Sequence, residues 1–233
     1  MTQCVNLARA SRMRLTRLDE CGAPDPGPTG QLVSSGFINV DGTPNYLDPD
    51  PEEITQPNAN GDLCLDDQGR AQLRWVDLSI VMCTVDPDAF NIITGNPLVL
   101  NDAVAPEAVG FRLNGELTGT ANFALELWSN VSGAACDAEG NRSYGYWLFP
   151  YVVQARVGQW SVANAALNLT FTARTSTDSL WGLGPTTYTV RRDAVSDTPE
   201  RILTAIDDTD HMHYEVVTVA PPAAACGATT LAA

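Results

Sequence analysis

Two histidines and three aspartates lie close together near the C-terminal end of the sequence and form the best candidate for metal chemistry. His211 and His213 would share one face of a strand, at a spacing that zinc and nickel sites use. They are the only histidines in the chain, and no cysteine lies near them. The stretch therefore indicates a solvated acidic turn entering a strand, and an enzyme with a metal at these histidines is the alternative. The neighbouring acids are Asp207, Asp208 and Asp210.

A second pair of carboxylates, Asp86 and Asp88, could perform acid–base catalysis. However, Asp86 precedes Pro87, and this order is typical of a helix N-cap followed by proline at the first helical position. Asp88 would complement the positive end of the helix dipole, and Gly95 supplies a C-terminal stop. The pattern predicts a short helix capped by Asp86 rather than a catalytic site.

Sequence motifs for catalysis and cofactor binding are absent. The chain has no G-x-S-x-G nucleophile motif, no G-x-x-x-x-G-K-[ST] phosphate loop and no dinucleotide fingerprint after a strand. It also has no C-x-x-C pair, which argues against a zinc site. We therefore expect no enzymatic activity, no cofactor and no bound metal.

The elements that would position these residues are short strands. From Trp75 to Thr84 polar and apolar residues alternate, so Asp77 and Ser79 point to one face of a strand and Leu78 to the other. Thr, Val and aromatic residues are spread among Gly, Pro, Asn and Asp, which favours a mainly β fold. No linker divides the 233 residues. We expect one domain over residues 1–220, and a tail over 221–233 that is frayed or packs on another subunit.

A polar, proline-rich stretch over residues 41–60 is predicted to be a long loop. Loops of this length in compact domains are usually functional or disordered. Tyr46, Leu47 and Ile54 give this one apolar side chains to present. We predict that it docks on a neighbouring subunit, and a solvated spacer is the alternative.

The six cysteines are expected to be reduced in the cell, most of them as small buried hydrophobes. Cys64 and Cys83 each lie on or at the end of a predicted strand, so a cross-strand pair between them is possible. Such a pair would form only after release from a reducing compartment.

The charge distribution limits the partners of this chain. The formal net charge is −15 and there is no lysine. Four arginines precede the first acid, Asp19; after residue 17, nine arginines face 28 acids, a balance of −19. A protein with so acidic a surface is not expected to bind nucleic acid tightly, because phosphate binding needs clustered cations. The sequence shows no signal-peptide pattern and no membrane-length apolar run, so we expect no membrane partner and synthesis in a cytoplasm.

Four segments, taken in order, resemble the major tail tube proteins of long-tailed phages, especially those infecting actinobacteria. The first is RLTRLDECGAPDPG, which ends in a Leu-Asp-x-Cys-Gly motif, and the second is LVSSGFINVDGTPNYLD. The third extends from Asn58 to Pro97 and holds the alternating strand and the capped helix. The fourth is LWGLGPTTYTV. Each motif is weak alone, but their order and spacing together span roughly three quarters of the chain, from Arg14 to Val190.

The resemblance implies a β-sandwich protomer with one short flanking helix and long loops. Six protomers would form a ring whose inner strands join into a β-barrel, and stacked rings would form a tube that genomic DNA passes through without specific binding. The implied partners are further copies of the chain and other tail proteins, such as the tape measure, terminator and distal tail proteins. The implied location is the virion tail, assembled in the host cytoplasm.

An acidic channel wall would repel DNA, which carries one negative charge per roughly 1.7 Å of axis. Asp77 and Glu116 are the candidates for channel-facing acids. The alternative from another class is a β-sandwich module on a virion surface that binds a receptor or a glycan, for which the five tryptophans could provide a stacking face.

Overall fold

The computed structural model describes residues 5–48, 53–115, 121–133, 136 and 140–232. Within these ranges the chain forms fifteen strands and one helix. The strands are β1 (Asn6–Leu18), β2 (Gly27–Ser34), β3 (Phe37–Leu47), β4 (Glu53–Pro57), β5 (Leu63–Gln68), β6 (Gln72–Met82), β7 (Leu98–Leu100), β8 (Ala108–Phe111), β9 (Asn122–Ser132), β10 (Tyr144–Val157), β11 (Leu169–Thr175), β12 (Arg191–Arg192), β13 (Pro199–Glu200), β14 (His213–Val217) and β15 (Thr229–Leu231). The helix α1 spans Pro87–Thr94.

Nine strands form one antiparallel sheet: eight follow the order β15-β2-β1-β9-β10-β11-β6-β3, and β14 pairs with β10 beside this path. The long strand β10 connects the two halves of this sheet. Its first half pairs with β9 on one side and with β14 on the other, and its second half pairs with β11. Among the described residues, β3 and β15 end the order without pairing to each other, so the sheet is not closed into a barrel.

The sheet folds over itself and buries the apolar faces of its two halves against each other. We call β15, β2, β1, β9 and the first half of β10 the first half-sheet, and β11, β6 and β3 the second half-sheet. Leu125 of the first and Ile80 of the second are fully buried in the shared core. Helix α1 packs at one end, where the ring of Phe90 stacks on Phe111 with 3.6 Å between centroids. The architecture is mainly β and sandwich-like, with one short helix among the described elements, as predicted.

A second core lies on the opposite face of the first half-sheet. Trp128 of β9 and Tyr146 of β10 are buried there beneath residues 177–206, a segment with little regular structure. Trp181 and Tyr188 of this segment insert into the core. The first half-sheet is therefore covered on both faces.

The alternation predicted for β6 is confirmed. Val76, Leu78, Ile80 and Met82 are buried, whereas Asp77 is exposed on the other face. An antiparallel strand with one face on the core and one face toward water has this pattern.

The prediction of a long loop over residues 41–60 is wrong. Residues 41–47 continue β3 and pair with β6 as far as Leu47 opposite Gln72, and Glu53–Pro57 pairs with β5. Backbone pairing to β6 outweighs the polar, proline-rich composition, because β3 is an edge strand. On such a strand Pro44 costs no ladder hydrogen bond if its nitrogen faces away from the partner. Residues 49–52 lie outside the described ranges.

The described part of the tail predicted over residues 221–233 pairs with its own chain and is not frayed, and its packing on another subunit stays a prediction. β15 pairs with β2, with Thr229 opposite Gln31, and Leu231 is buried in the second core. Within residues 5–232, less the gaps given above, no helix has the length and apolarity needed to cross a membrane.

Candidate interaction surfaces

An extended arm projects from the second half-sheet and carries the residues predicted to contact another subunit. The arm consists of the outer end of the β3–β6 ladder, beyond Pro44 and Val76, and of the β4–β5 hairpin. Tyr46 lies opposite Leu73 in this ladder. Tyr46, Leu47 and Ile54 are 58%, 51% and 45% exposed. Exposed apolar residues gathered on one element are typical of an interaction site. The other exposed apolar side chains of the arm are Leu63, Leu65 and Leu73.

The second half-sheet presents a polar surface on the side away from the core. Asp77 lies at its centre, between Thr43 of β3 and Arg174 of β11. One step along the strands, Ser79 lies between Asp41 and Thr172. We call this surface the outer polar face. Its members on the three strands are Asp41, Thr43, Asp77, Ser79, Thr172 and Arg174.

The charges on the outer polar face are balanced rather than acidic. Asp41 and Asp77 are accompanied by Arg174 and by Arg156, which pairs with Thr172 from the adjacent β10. The surface around Asp77 therefore differs from the acidic wall that the sequence suggested. Glu116, the other predicted channel-facing acid, lies outside the described residues.

Trp75 is held between two guanidinium groups at the edge of the outer polar face. The Cζ atoms of Arg74 and Arg174 lie 4.4 and 4.9 Å from the centroid of its ring. Stacking of this kind stabilises a cation against an aromatic face. The positive charge of Arg174 is thus fixed beside Asp77 on the same surface.

A pocket of about 600 Å³ lies between the two half-sheets along the inner side of β3, from Phe37 to Tyr46. We call this pocket the mouth. Both half-sheets contribute to its wall, which is mainly apolar. Tyr46 and Leu73 also line it, so the apolar inner side of the arm continues the wall outward. Prominent lining residues are Phe37, Val40, Val76, Leu127, Trp147 and Phe149.

The two histidines have separate surroundings and do not converge on one point. His211 is buried, and its Nδ1 lies 2.7 Å from Oγ1 of Thr175, which accepts a hydrogen bond from the Val76 amide. Burial lowers the pKa of His211. Nε2 of His213 lies 3.7 Å from a carboxylate oxygen of Glu215. Among the described residues, no group of three or more His, Cys, Asp or Glu side chains is placed to hold a metal ion.

The cross-strand pair proposed for Cys64 and Cys83 is wrong. Cys64 lies on β5, whose pairing partner is β4. Cys83 follows β6, and its amide donates to the carbonyl of Gly36. Both thiols are free and exposed, and the expectation that most cysteines are buried is also wrong for the described ones. The two residues were expected on adjacent strands, but β5 pairs with β4 in a separate small sheet.

Asp86 caps α1 as predicted and also fixes a distant part of the chain. Its Oδ1 accepts hydrogen bonds from the amides of Asp88 and Ala89, at 2.9 and 3.4 Å. Its Oδ2 accepts from the Gly227 amide at 2.8 Å, and Oδ2 of Asp88 accepts from the Ala228 amide at 2.9 Å. One carboxylate therefore stabilises both the helix N-terminus and the approach to β15.

Replacing Asp86 with alanine is expected to lower the free energy of unfolding by about 2 kcal/mol. Loss of the cap accounts for about 1 kcal/mol, and the unpaired Gly227 amide adds about 1 kcal/mol more. Urea denaturation followed by tryptophan fluorescence would measure this change. Asp86→Asn is the control, since it keeps an oxygen for the cap; equal losses in the two variants would contradict the assigned role.

A buried charged cluster in the second core was missed by sequence reasoning. Nε and Nη2 of Arg14 donate to the two carboxylate oxygens of Glu126, each at 2.5 Å, and these two residues lie opposite each other on β1 and β9. The Tyr146 hydroxyl donates to Glu126 at 2.6 Å. The Arg14 guanidinium lies 3.3 Å from the centroid of the Tyr188 ring. Arg14 is 5% exposed and Glu126 is fully buried.

The electrostatics of this cluster favour the ion pair. Burial opposes the charge of Arg14, but the attraction and the hydrogen bonds of Glu126, with smaller contributions from Tyr188 and Tyr146, together outweigh burial, so the pKa of Arg14 is raised. Burial and then the charge of Glu126 raise the pKa of Tyr146 well above its ordinary value, so its hydroxyl remains a donor. The sequence did hold a signal: Glu126 is the only charged residue in the otherwise apolar run from Phe123 to Trp128.

The tryptophans do not form a shared stacking face. Trp128 and Trp181 are buried in the second core, at 1% and 4% exposure. Trp75 lies beside the outer polar face and Trp147 lines the mouth. Trp160, at 48% exposure, lies in the connection that follows β10. The glycan-stacking face suggested for the alternative function is therefore not present.

Comparison with models of protein families gives no match, and comparison with curated proteins gives none either. A functional interpretation therefore depends on the geometry of this chain. Three features are available for it: the arm, the outer polar face beside the β3 edge, and the mouth.

Proposed function

We propose that this chain is the structural subunit of a phage tail tube. Six copies form a ring, and stacked rings enclose a channel through which DNA passes. The observation that carries the proposal is the second half-sheet, which is apolar on its inner side and polar on its outer side, and which ends in a long unpaired edge. The proposed location is the virion tail, and the proposed partners are further copies and other tail proteins, such as the tape measure, terminator and distal tail proteins.

The edge of the second half-sheet supports lateral association. β3 is eleven residues long and pairs with β6 alone among the described strands. An edge of this length presents unpaired backbone donors and acceptors, which another chain can use. Addition of a neighbouring copy at this edge, repeated around a closed ring, would join six half-sheets into one barrel. A closed ring leaves no edge unpaired.

The arm supports the same proposal from the apolar side. It is an ordered ladder and hairpin that holds exposed Tyr46, Leu47 and Ile54 beyond the body of the subunit. These side chains gain free energy when another subunit removes them from water. An isolated two-stranded hairpin such as β4–β5 is at best marginally stable, so contact with a neighbour would also stabilise the arm.

The outer polar face suits a surface that DNA slides along. If the half-sheets join side by side, this face lines the channel, because the opposite face is buried in the core. Its threonine, serine and aspartate side chains offer phosphates few cations. Arg174 stands beside Asp77 on the neighbouring strand, and Arg156 stands beside Thr172. DNA binding requires clustered unpaired cations, so this composition lets DNA pass without holding it.

Electron microscopy of the purified protein tests the proposal. Six-fold rings or tubes would support it, and a protein that remains monomeric at high concentration under every ionic condition would contradict it. Monomers or trimers that bind sugar would instead favour the receptor- or glycan-binding module.

Replacing Asp77 with arginine is expected to leave tubes intact and to slow the passage of DNA. The substitution disturbs the balanced charges and places a new cation beside Arg174, repeated six times in each ring. DNA release is expected to slow roughly tenfold for each 1.4 kcal/mol of phosphate attraction added. Release from particles assembled with the variant would be timed by a DNA-binding dye.

The control for this experiment is Asp77→Asn, which removes the acid without adding a cation. It should release DNA at close to the parent rate. If Asp77→Arg particles also release DNA at the parent rate, Asp77 does not face the channel.

A further inference from the structure

The sheet behind the outer polar face has a second edge in addition to β3. The strand order continues from β3 through β6 and β11 to the second half of β10. In β10, Val152 pairs with Phe123 of β9 on one flank and with Thr175 of β11 on the other. Beyond Val152, residues 153–157 pair with β11 and, among the described strands, have no partner on the β9 flank. We call this unpaired flank of residues 153–157 the β10 edge.

The two edges run in opposite directions. Each of the four strands β10, β11, β6 and β3 is antiparallel to its neighbour, so the first and the fourth are antiparallel to each other. Copies in a closed ring share one orientation. β3 of one copy therefore lies antiparallel to the β10 edge of the next, and antiparallel strands can exchange backbone hydrogen bonds.

One row of residues across the four strands begins with an acid and ends with a base. Asp41 of β3 lies opposite Ser79, and Ser79 lies opposite Thr172. Thr172 in turn lies opposite Arg156, at the β10 edge. Residues directly opposite each other in a sheet share a face, so Asp41 and Arg156 both project from the outer polar face.

Neither of these two charges has an ionic partner in its own copy. The carboxylate of Asp41 accepts a hydrogen bond from Nδ2 of Asn39 at 2.6 Å. Within the described part of the chain Asp41 forms no ion pair, and Arg156 forms neither an ion pair nor a side-chain hydrogen bond. Both residues are exposed. Each can therefore accept a partner of opposite charge from another chain.

The adjacent row is apolar at both edges on the inner side of the sheet. Val40 lies opposite Ile80, Ile80 opposite Phe171, and Phe171 opposite Val157. Val40 and Val157 are only half-buried, although both pack against the main core. A strand added at either edge would cover more of their apolar surface, which is favourable.

A β-bulge bends the β10 edge. Between Val153 and Arg156 two residues of β10 face one residue of β11, and Gln154 has a φ of 55°. Bulges bend the strand that contains them and are common at the rims of barrels. The bend is therefore compatible with a sheet that curves into a closed ring.

We infer that β3 of one copy pairs with the β10 edge of the next copy around the ring, in a register that places Asp41 against Arg156. Backbone hydrogen bonds join the two strands, and the Asp41–Arg156 pair lies on the outer polar face. The inference rests on the proposed function and identifies the surface that receives the β3 edge. In this arrangement an acid of the neighbouring copy holds Arg156, so this cation offers less attraction to passing phosphates.

The first part of β1 is the competing partner for β3. β2 covers β1 only over residues 13–16, so residues 6–12 pair with β9 alone among the described strands. This part of β1 also carries cations, Arg9 and Arg12. However, β1 belongs to the first half-sheet, and pairing there would not continue the outer polar face from one copy to the next.

Charge reversal tests the inferred register. Asp41→Arg and Arg156→Asp are each expected to raise the protein concentration needed for rings at least about tenfold, because like charges then face each other at every contact. The double variant restores opposite charges and is expected to recover assembly. Asp208→Arg, which changes an exposed acid outside both edges, is the matched control. Sedimentation would measure assembly, and circular dichroism would establish that each variant is folded.

Cysteine cross-linking tests the same contact without reversing charge. The six native cysteines are first replaced by serine, and the five described ones are exposed. Asp41→Cys with Arg156→Cys is then expected to give a ladder of covalent oligomers under a mild oxidant. Within one copy these positions are three strand spacings apart, about 14 Å, which is too far for a disulfide.

Two further pairs of cysteines serve as controls for the cross-link. Asp41→Cys with Thr172→Cys should give no ladder, because these positions are two strand spacings apart both within a copy and across the inferred contact. Asp41→Cys with Arg12→Cys tests the competing partner. A ladder from this pair, and none from Asp41→Cys with Arg156→Cys, would show that β1 receives β3 and would overturn the inference.

The outcomes separate this inference from the proposed function. If the parent protein forms no ring or tube, the proposed function fails and the inference fails with it. If the parent forms rings, but the single reversals assemble equally well and no ladder appears, the proposed function stands and the inference is overturned. Failure of the double reversal to recover assembly also overturns it, because Asp41 and Arg156 then do not meet.

Discussion

Replacing Glu126 with glutamine is expected to lower the free energy of unfolding by about 3–5 kcal/mol. The substitution leaves the Arg14 guanidinium charged in the second core with no carboxylate opposite it, and it weakens the acceptor of the Tyr146 hydroxyl. An uncompensated buried charge costs far more than a broken surface pair. Urea denaturation would show a lower midpoint with an unchanged slope.

The matched control is Glu200→Gln, which breaks the pair between Arg191 and Glu200 on the surface. Glu200 is 42% exposed, so the expected loss is at most about 1 kcal/mol. A third variant, Arg14→Met with Glu126→Leu, removes both charges and should recover much of the loss, because apolar replacements of a buried pair are often neutral. If Glu126→Gln is no worse than Glu200→Gln, the cluster does not stabilise the fold.

Removal of the β4–β5 part of the arm is expected to abolish tube formation and to leave a folded subunit. Leu47 and Gln72 are paired neighbours, so residues 48–71 can be replaced by Asn-Gly, the preferred two-residue connection of a hairpin. The main sheet keeps all of its strands, because β4 and β5 pair only with each other among the described strands. Light scattering would measure assembly, and thermal unfolding would measure the integrity of the body.

A milder variant identifies which part of the arm acts. Leu47→Ser with Ile54→Ser removes two exposed apolar side chains and keeps the ladder, and it should weaken assembly without changing the melting temperature. Normal tubes from the shortened protein would exclude the β4–β5 part of the arm from subunit contacts.

Features that depend on neighbouring residues could be predicted from the sequence. The alternation of β6 places Leu78 inside and Asp77 outside, since side chains on a strand alternate between its faces. The cap of α1 depends on Asp86, Pro87 and Gly95, which lie within ten residues of one another, and Gly95 takes the left-handed conformation that ends the helix.

Features that depend on distant pairing could not be predicted. Residues 41–47 have the composition of a loop, and only the β6 ladder makes them a strand. Arg14 and Glu126 are 112 residues apart in the sequence, so no local sequence pattern predicts their contact. The same holds for the Gly227 amide, which reaches Asp86 across 141 residues. The mouth is likewise created by two half-sheets whose separation depends on the whole sheet.

The placement of β1 between β2 and β9 affects how the chain folds during synthesis. A ribosome adds about 5–20 residues per second, so Arg14 exists for on the order of ten seconds before Glu126 is made. During that interval β1 has β2 on one side and a bare edge on the other, with Met13 and Leu15 uncovered. Pairings this far apart in sequence also form slowly. Newly made chains therefore pass through a stage in which β1 can aggregate, and their yield should improve when chaperones are abundant.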